Sequence, residues 1–260
     1  MSYTYNKLTN STKNIILCWC DRNDIKFIEE QKKRGKIEKV ITTPCACKYD
    51  YDWQYVLPEY GCIDRVLVPS KECINQYYEQ KVKKEYIQKV LPWASGVELA
   101  EETSFRINNS CICYYKGLMP DKMLKKKIEA ILEGAGKCYN IVYGKYFFED
   151  WIKLLDNVDL VIFYQDIVET QGLAMAEAWA HNKPTLIKTK DKIGLNKTSP
   201  YLTKDCGLFF ETNEELEEIL ESYSENPELF LKQFKPREWV KNNMTDEISV
   251  KNLIKIFEDI

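Results

Sequence analysis

The sequence predicts an α/β protein in which short buried strands alternate with helices. Short apolar runs, such as 14–20 and 159–163, have the length of buried strands. Intervening segments, such as 24–34, carry apolar residues at helical spacing. Alternation of this kind favours parallel sheets, because two parallel neighbours must be joined by a crossover that is usually a helix.

The first half of the chain is predicted to contain four strands, at 14–20, 39–43, 63–70 and within 89–98. The helix over 24–34 ends at Gly35, and Pro44 ends the second strand. Residues 46–61 are rich in Tyr and Asp and show no period, so we expect a loop or a short helix there. Ser70 stands where it can cap a helix over 71–80.

The second half repeats the alternation. Its predicted strands are 110–115, 138–144, 159–163 and 185–187, and a further short apolar run lies at 207–210. Its predicted helices are 123–132, 147–155, one beginning after Gly172, 213–224 and about 247–259. The alternation therefore predicts a parallel sheet.

The composition is that of a globular protein rather than a disordered one, with 45% hydrophobic and 30% charged residues in 260. A formal net charge of -3 argues against a generally basic nucleic-acid binder. No apolar run approaches the roughly 20 residues that span a bilayer, and the N-terminus lacks a signal-peptide core. We therefore expect a cytoplasmic protein, with peripheral membrane contact left open.

Ten cysteines are present, and six of them form Cys-x-Cys pairs: Cys18 and Cys20, Cys45 and Cys47, Cys111 and Cys113. In a strand this spacing puts both thiols on one face, where they behave as small apolar side chains. None of the pairs has the Cys-x2-Cys spacing of a structural zinc site, and the chain has a single histidine. Buried reduced thiols are expected, and disulfides or a metal site are the alternatives.

The most distinctive segment reads Glu169-Thr-Gln-Gly-Leu-Ala-Met-Ala-Glu177, followed by a helix stop at Lys183-Pro184. Gly172 lets the backbone approach a ligand at a helix N-terminus, where free N–H groups and the helix dipole favour an anion such as phosphate. Glu169 then lies at or before the helix start, and Glu177 lies within the helix. The alternative is that both are ordinary surface glutamates.

This segment resembles the Glu-x7-Glu motif of retaining GT-B glycosyltransferases of the group 1 type. The residues that match the family pattern are Glu169, Gly172, Leu173, Glu177, Ala178, Ala180 and Pro184. The strand that ends in Val68-Pro-Ser70 and the later Pro92-x-x-x-Gly-Val-Glu98 are similar to the end of that family's first domain.

The resemblance implies two Rossmann-like domains, the first one reduced. Residues 1–100 would form the acceptor-side domain, and 101–245 the domain that binds a nucleotide-sugar donor. In this family a C-terminal helix, here 246–260, often packs back on the first domain.

The resemblance also implies roles for individual residues. Glu169 would accept hydrogen bonds from hydroxyls of the donor sugar, and Glu177 from the nucleotide ribose. The family's diphosphate loop carries an Arg and a Lys; Lys122 falls on the Lys position, whereas Gly117 occupies the Arg position. Glu169 and Lys122 are thus the candidate catalytic residues, and the candidate donor-binding residues are Lys116, Gly117, Gly144, Gly172, Leu173 and Glu177.

The acceptor side is less clearly marked. Tyr49, Tyr51 and Trp53 can form an acceptor surface, since aromatic faces stack on sugar rings and bases; the alternative is that they cover the edge of the core. The first domain departs from the family pattern, because no Gly-rich loop follows the first strand and no His follows Thr43. His181, in the turn after the Glu177 helix, is interpreted as a turn residue.

The expected function is transfer of a hexosyl or pentosyl group from a nucleotide sugar, with retention of configuration and without a metal or other cofactor. The acceptor can be a glycan, a lipid, a protein or modified DNA, and oligomers are possible. Two alternatives stay open. One is a catalytically idle relative that binds a nucleotide sugar or partners another transferase subunit; the other is a different doubly wound protein, such as an epimerase-like enzyme.

Overall fold

The structure is a computed structural model that describes residues 13–17, 22–43, 53–101, 106–115, 122–136, 138–143, 147–164, 172–189 and 201–260. The chain divides into two units: the first is 1–94 together with 251–260, and the second is 95–250. Each unit contains one parallel sheet. The predicted α/β class with two parallel sheets is confirmed.

The sheet of the first unit has four described strands, β1 (Asn14–Leu17), β2 (Lys39–Thr42), β3 (Arg65–Val68) and β4 (Val90–Pro92). They lie in the order β1-β2-β3-β4, and every neighbouring pair is parallel. The order follows the chain, so the described strands contain no reversal of direction across the sheet. Such a reversal is where open α/β sheets form their ligand crevice.

Short helices connect these strands: α1 (Arg22–Lys33), α2 (Trp53–Val56), α3 (Lys71–Glu79) and α4 (Lys84–Ile87), with a 3-10 turn at Leu57–Glu59. The core of the unit joins α1, through the fully buried Ile25, to strand residues such as Val40 and Val66. Ser70 is at the N-cap position of α3, as expected, but its side chain does not cap the helix. Its Oγ instead lies 3.4 Å from Cys73 Sγ.

The sheet of the second unit contains β5 (Ser110–Tyr115), β6 (Cys138–Tyr143), β7 (Leu160–Phe163), β8 (Thr185–Lys188) and β9 (Gly207–Phe210). All neighbours are parallel, in the order β6-β5-β7-β8-β9. From β5 the chain first moves to one side, to β6, and then crosses to β7 on the other side. The order therefore reverses at β5, next to β7.

The helices of the second unit are α5 (Lys122–Gly134), α6 (Phe148–Asp156), α7 (Leu173–Ala180), α8 (Asn213–Glu225), α9 (Pro227–Lys232) and α10 (Pro236–Asn243). Cys111 and Cys113 point from β5 into the same core as α5 and α8. Tyr114, which alternates with them, packs edge-on against Trp151 of α6 at 5.7 Å between ring centroids. Helices thus cover both faces of this sheet, and the prediction that Cys111 and Cys113 are buried free thiols is confirmed.

The last helix, α11 (Asp246–Glu258), runs from the second unit into residues 251–260, which belong to the first. Within the first unit, Lys39 Nζ donates to the backbone carbonyl of Phe257 at 2.6 Å. In the part of the chain that the structure describes, no helix is long and apolar enough to cross a membrane.

Candidate functional site

The candidate site lies at the carboxyl edge of the second sheet, where the strand order reverses between β5 and β7. In open α/β sheets the two loops that leave such neighbouring strands separate and form a crevice. Here those loops lead to the first turns of α5 and α7. Because the strands are parallel, both helix N-termini lie at this same edge.

Gly172 is the N-cap of α7 and has φ 74° and ψ 56°, the left-handed region that glycine adopts without steric cost. Its carbonyl accepts the backbone N–H groups of Met175 and Ala176, at 3.0 and 3.1 Å. The N–H groups of Leu173 and Ala174, which precede these bonds, have no acceptor within the helix and form the kind of position that binds an anion. The side chain of Leu173, the next residue, is 47% exposed.

Glu177 lies four residues after Leu173 on α7, and its side chain is half-buried. Burial raises the pKa of its carboxyl group above the ordinary value, while the polar interaction with the Trp151 side chain opposes the rise. Trp151 is completely buried on α6. The carboxylate is therefore held between two helices and keeps part of its surface open, as an acceptor for ligand hydroxyl groups must.

Lys122 is the first residue of α5, and its side chain is exposed. The structure thus puts Lys122 and Gly172 at the N-termini of the two helices that follow the neighbouring strands β5 and β7. A cation and a set of free N–H groups at one sheet edge suit a diphosphate.

Most of the other predicted site residues lie outside the described residues: Glu169, Lys116, Gly117, Gly144, Tyr49 and Tyr51. Trp53 begins α2, but the placement of its side chain is likewise outside what the structure describes. Their assignment stays a prediction.

Sequence reasoning missed several residues at this edge. Tyr164 follows β7 and donates its hydroxyl to Asn213 Oδ1, at the start of α8, at 2.5 Å. Lys188, at the end of β8, lies with its ammonium 5.1 Å from the centre of the Tyr164 ring. All three positions lie where a strand ends or the following helix begins, and that shared position was the signal available in the sequence.

No protein-family model matches the sequence, and no curated protein matches it significantly. Solved structures do match the fold. TarM of S. aureus, in a complex that contains UDP, gives a TM-score of 0.63 at 13% identity over 85% of this chain. The present chain spans about half of the TarM chain, 51%.

Two further structures are similar. HepE of Anabaena, in complex with UDP and glucose, gives a TM-score of 0.65 at 10% identity, over 92% of this chain and 77% of HepE. A glycosyltransferase from Rickettsia africae gives 0.60 at 14% identity, over 91% of this chain and 80% of its own. These neighbours are GT-B glycosyltransferases, and the chain has their GT-B fold.

Proposed function

We propose that this chain transfers a hexosyl or pentosyl group from a nucleotide-sugar donor to an acceptor, with retention of anomeric configuration. The observation that carries the proposal is the arrangement of α7. Gly172 opens this helix at the reversal of the strand order, and Glu177 follows with a half-buried carboxylate whose pKa responds to Trp151.

Each part of a nucleotide sugar has a partner in this proposal. The ribose hydroxyls donate to Glu177, and the diphosphate lies between the first turn of α7 and Lys122. Hydroxyls of the donor sugar donate to Glu169. The complexes of TarM with UDP and of HepE with UDP and glucose make UDP the first nucleotide to test.

In the reaction, the bond between the anomeric carbon and the diphosphate oxygen breaks, and the acceptor oxygen bonds to the same face of the sugar. The leaving phosphate accepts the acceptor's proton, so no protein base is needed. Lys122 and the α7 dipole stabilise the negative charge that develops on the leaving diphosphate. They lower the activation barrier only if they bind the transition state more tightly than they bind the donor. We propose that the reaction needs no metal.

The test is incubation of the full chain with a panel of nucleotide sugars, UDP-sugars first, with and without candidate acceptors. We expect slow donor hydrolysis alone and transfer with the right acceptor, whose product carries the donor's anomeric configuration by NMR. Glu177→Gln should lose donor binding by a factor of roughly 10 to 100, since a hydrogen bond to a charged group contributes about 1.5–3 kcal/mol. Glu217→Gln is the matched control, because Glu217 is exposed on α8.

A second candidate function is nucleotide-sugar binding without transfer. It is favoured by the sequential strand order of the first unit, whose described strands provide no reversal point for an acceptor crevice. Tight binding of a nucleotide sugar with neither hydrolysis nor transfer would select this candidate. An inverted product would contradict the retaining mechanism but keep the transferase.

A further inference from the structure

A cavity of about 1080 Å³ lies at the amino-terminal edge of the second sheet. Its walls include the segments that lead into β5, β7 and β8, at 106–108, 156–159 and 181–184, together with the chain between Leu231 and Lys241. Since the strands are parallel, this edge is opposite the one that carries Gly172 and Lys122. The cavity is therefore separate from the candidate donor site.

Basic side chains outnumber acidic ones in this cavity. The basic residues are Arg106, Lys183, Lys235, Arg237 and Lys241. The acidic residues are Glu101, Asp156, Asp159 and Glu238. The class of ligand that the cavity can bind depends on which of these side chains already have partners within the protein.

Two of the acidic groups are used in the fold. Asp159 is 4% exposed and accepts the backbone N–H of Asn108, at 2.8 and 3.1 Å, and the hydroxyl of Tyr223. Asp156 Oδ1 lies 3.3 Å from His181 Nδ1. Burial lowers the pKa of His181, so its ring is a neutral hydrogen-bond donor at pH 7. These carboxylates hold together the segments before β5, β7 and β8.

Among the basic groups, Lys235 pairs with Glu238 at 3.9 Å. Three others have no such partner in the described part of the chain. With the residues that the structure describes, Lys183, Arg106 and Lys241 form no ion pair within 4 Å and no side-chain hydrogen bond. Five basic groups face four carboxylates that keep their charge, so the lining has only a slight positive excess, and Lys183, Arg106 and Lys241 keep donor groups that could serve a ligand.

Lys183 and Arg237 show this most clearly. Lys183 is half-buried, and burial lowers the pKa of its ammonium although Asp159 and Asp156 oppose the shift. Arg237 donates Nη2 to the carbonyl of Ala100 at 2.9 Å, but its Nε is buried without a hydrogen-bond partner in the described structure. A buried donor without an acceptor is costly.

We propose that this cavity is a binding site for a polyphosphate group, with Lys183 and Arg237 as its inner contacts and Lys241 at its rim. The volume of about 1080 Å³ slightly exceeds the roughly 300–1,000 Å³ of small-molecule sites and is more than a single phosphate fills. Arginine matches phosphate oxygens with paired N–H groups, and lysines add point charges around them.

The test is titration of the full chain with inorganic tripolyphosphate, measured by calorimetry. Lys183→Gln should weaken binding about 10-fold, as expected for loss of one charge-assisted hydrogen bond, and Lys241→Gln by a smaller factor. Lys126→Gln is the matched control, since Lys126 is exposed on α5, and should bind as the unaltered chain does. Without ligand, Lys183→Gln should be at least as stable as the unaltered chain, because a penalised charge is removed.

Tripolyphosphate can also reach the opposite edge, so Lys122→Gln is titrated in parallel. Binding that is lost in Lys122→Gln and kept in Lys183→Gln would assign the probe to the carboxyl edge and overturn the proposal. Absence of binding at millimolar tripolyphosphate would also overturn it. Unchanged tripolyphosphate affinity in both Lys183→Gln and Lys241→Gln would also overturn the proposal. Lys241 is exposed, so its replacement should not disturb the fold.

Discussion

The indole of Trp151, completely buried on α6, interacts with the half-buried carboxylate of Glu177 on α7 and opposes the rise of its pKa that burial causes. This contact joins two helices that follow different strands of the second sheet. It holds one carboxylate at a fixed place and also leaves it with less solvation than an exposed glutamate. The stability of the fold and the proposed ribose contact therefore depend on the same ionisation.

Glu177→Gln is expected to change the pH dependence of stability. Burial raises the pKa of Glu177 in the folded state. The contribution of its protonated carboxyl group to folding stability is therefore complete below the unfolded-state pKa of about 4.3, and it is lost as pH rises through the folded-state pKa. The amide does not ionise and avoids this loss. The variant should gain in thermal stability relative to the unaltered chain between pH 4 and pH 8, by part of the roughly 1–3 kcal/mol that an incompletely satisfied buried polar group costs.

The measurement is thermal unfolding of both proteins across that pH range. Glu217→Gln removes an exposed glutamate of α8 and should change stability by less than about 0.5 kcal/mol. The gain in stability of Glu177→Gln over the unaltered chain should grow as pH rises. A gain that shrinks with rising pH would contradict a raised pKa for Glu177.

Trp151→Phe is expected to separate binding from packing. The phenyl ring keeps most of the buried volume but lacks the indole N–H, so the ionised form of Glu177 loses a stabilising interaction and the pKa of Glu177 rises further. If the ribose donates to an ionised Glu177, acidification should weaken nucleotide binding as this carboxylate becomes protonated. In Trp151→Phe this loss of affinity should begin at a higher pH than in the unaltered chain. Titrations with UDP at several pH values measure this. Identical pH profiles in both proteins would remove Trp151 from the site.

Much of the local structure followed from the sequence. Ser110–Tyr115 forms a strand with the predicted bounds, and the apolar run Gly207–Phe210, for which no structure is predicted from the sequence, is also a strand. α4 and α9 were missed, since helices of four and six residues are too short to show a period. For α9 a signal existed: Asn226 caps the helix by accepting the N–H of Leu229, and Pro227 starts it.

The arrangement of the elements could not be read from the sequence in the same way. Nothing local distinguishes the order β1-β2-β3-β4 from the reversing order of the second sheet, because all of these strands are similar apolar runs. The contact between Trp151 and Glu177 depends on two helices sharing a sheet face. Lys183 and Arg237 are separated along the chain and line the same cavity only because of the fold.

Gly172→Ala is expected to weaken both α7 and ligand binding. Gly172 has φ 74°, and an alanine in the left-handed region costs roughly 1–2 kcal/mol. Asparagine tolerates this region better, so Gly172→Asn should recover most of the stability. If the backbone here contacts a diphosphate, both variants should bind UDP more weakly, since any side chain obstructs the approach. Unfolding curves and UDP titrations of the two variants distinguish the effects, and normal UDP affinity in both would exclude such a contact.

Gly207→Ala is expected to destabilise the second sheet. Gly207 pairs with Thr185 in the register of β8 and β9, and an added Cβ would collide with the backbone carbonyl of Thr185. Its φ of 156° is also one that side chains rarely adopt. The cost should exceed the roughly 1 kcal/mol of an ordinary substitution. Gly134→Ala at the end of α5 is the control, because nothing lies within 4 Å of an added Cβ there; equal unfolding temperatures for the two variants would contradict the packing at Thr185.

Lys122→Gln is expected to reduce affinity for nucleoside diphosphates without affecting the fold. Lys122 is exposed at the first position of α5, so removing its charge leaves no buried group unpaired. Loss of one charge-assisted hydrogen bond of about 1.5–3 kcal/mol corresponds to a 10- to 100-fold weaker UDP complex. The nucleoside alone should bind both proteins equally, since it carries no phosphate. Lys126→Gln, one helical turn later and also exposed, should leave UDP affinity unchanged, and an equal loss in the two variants would indicate general attraction by the basic helix rather than a contact at Lys122.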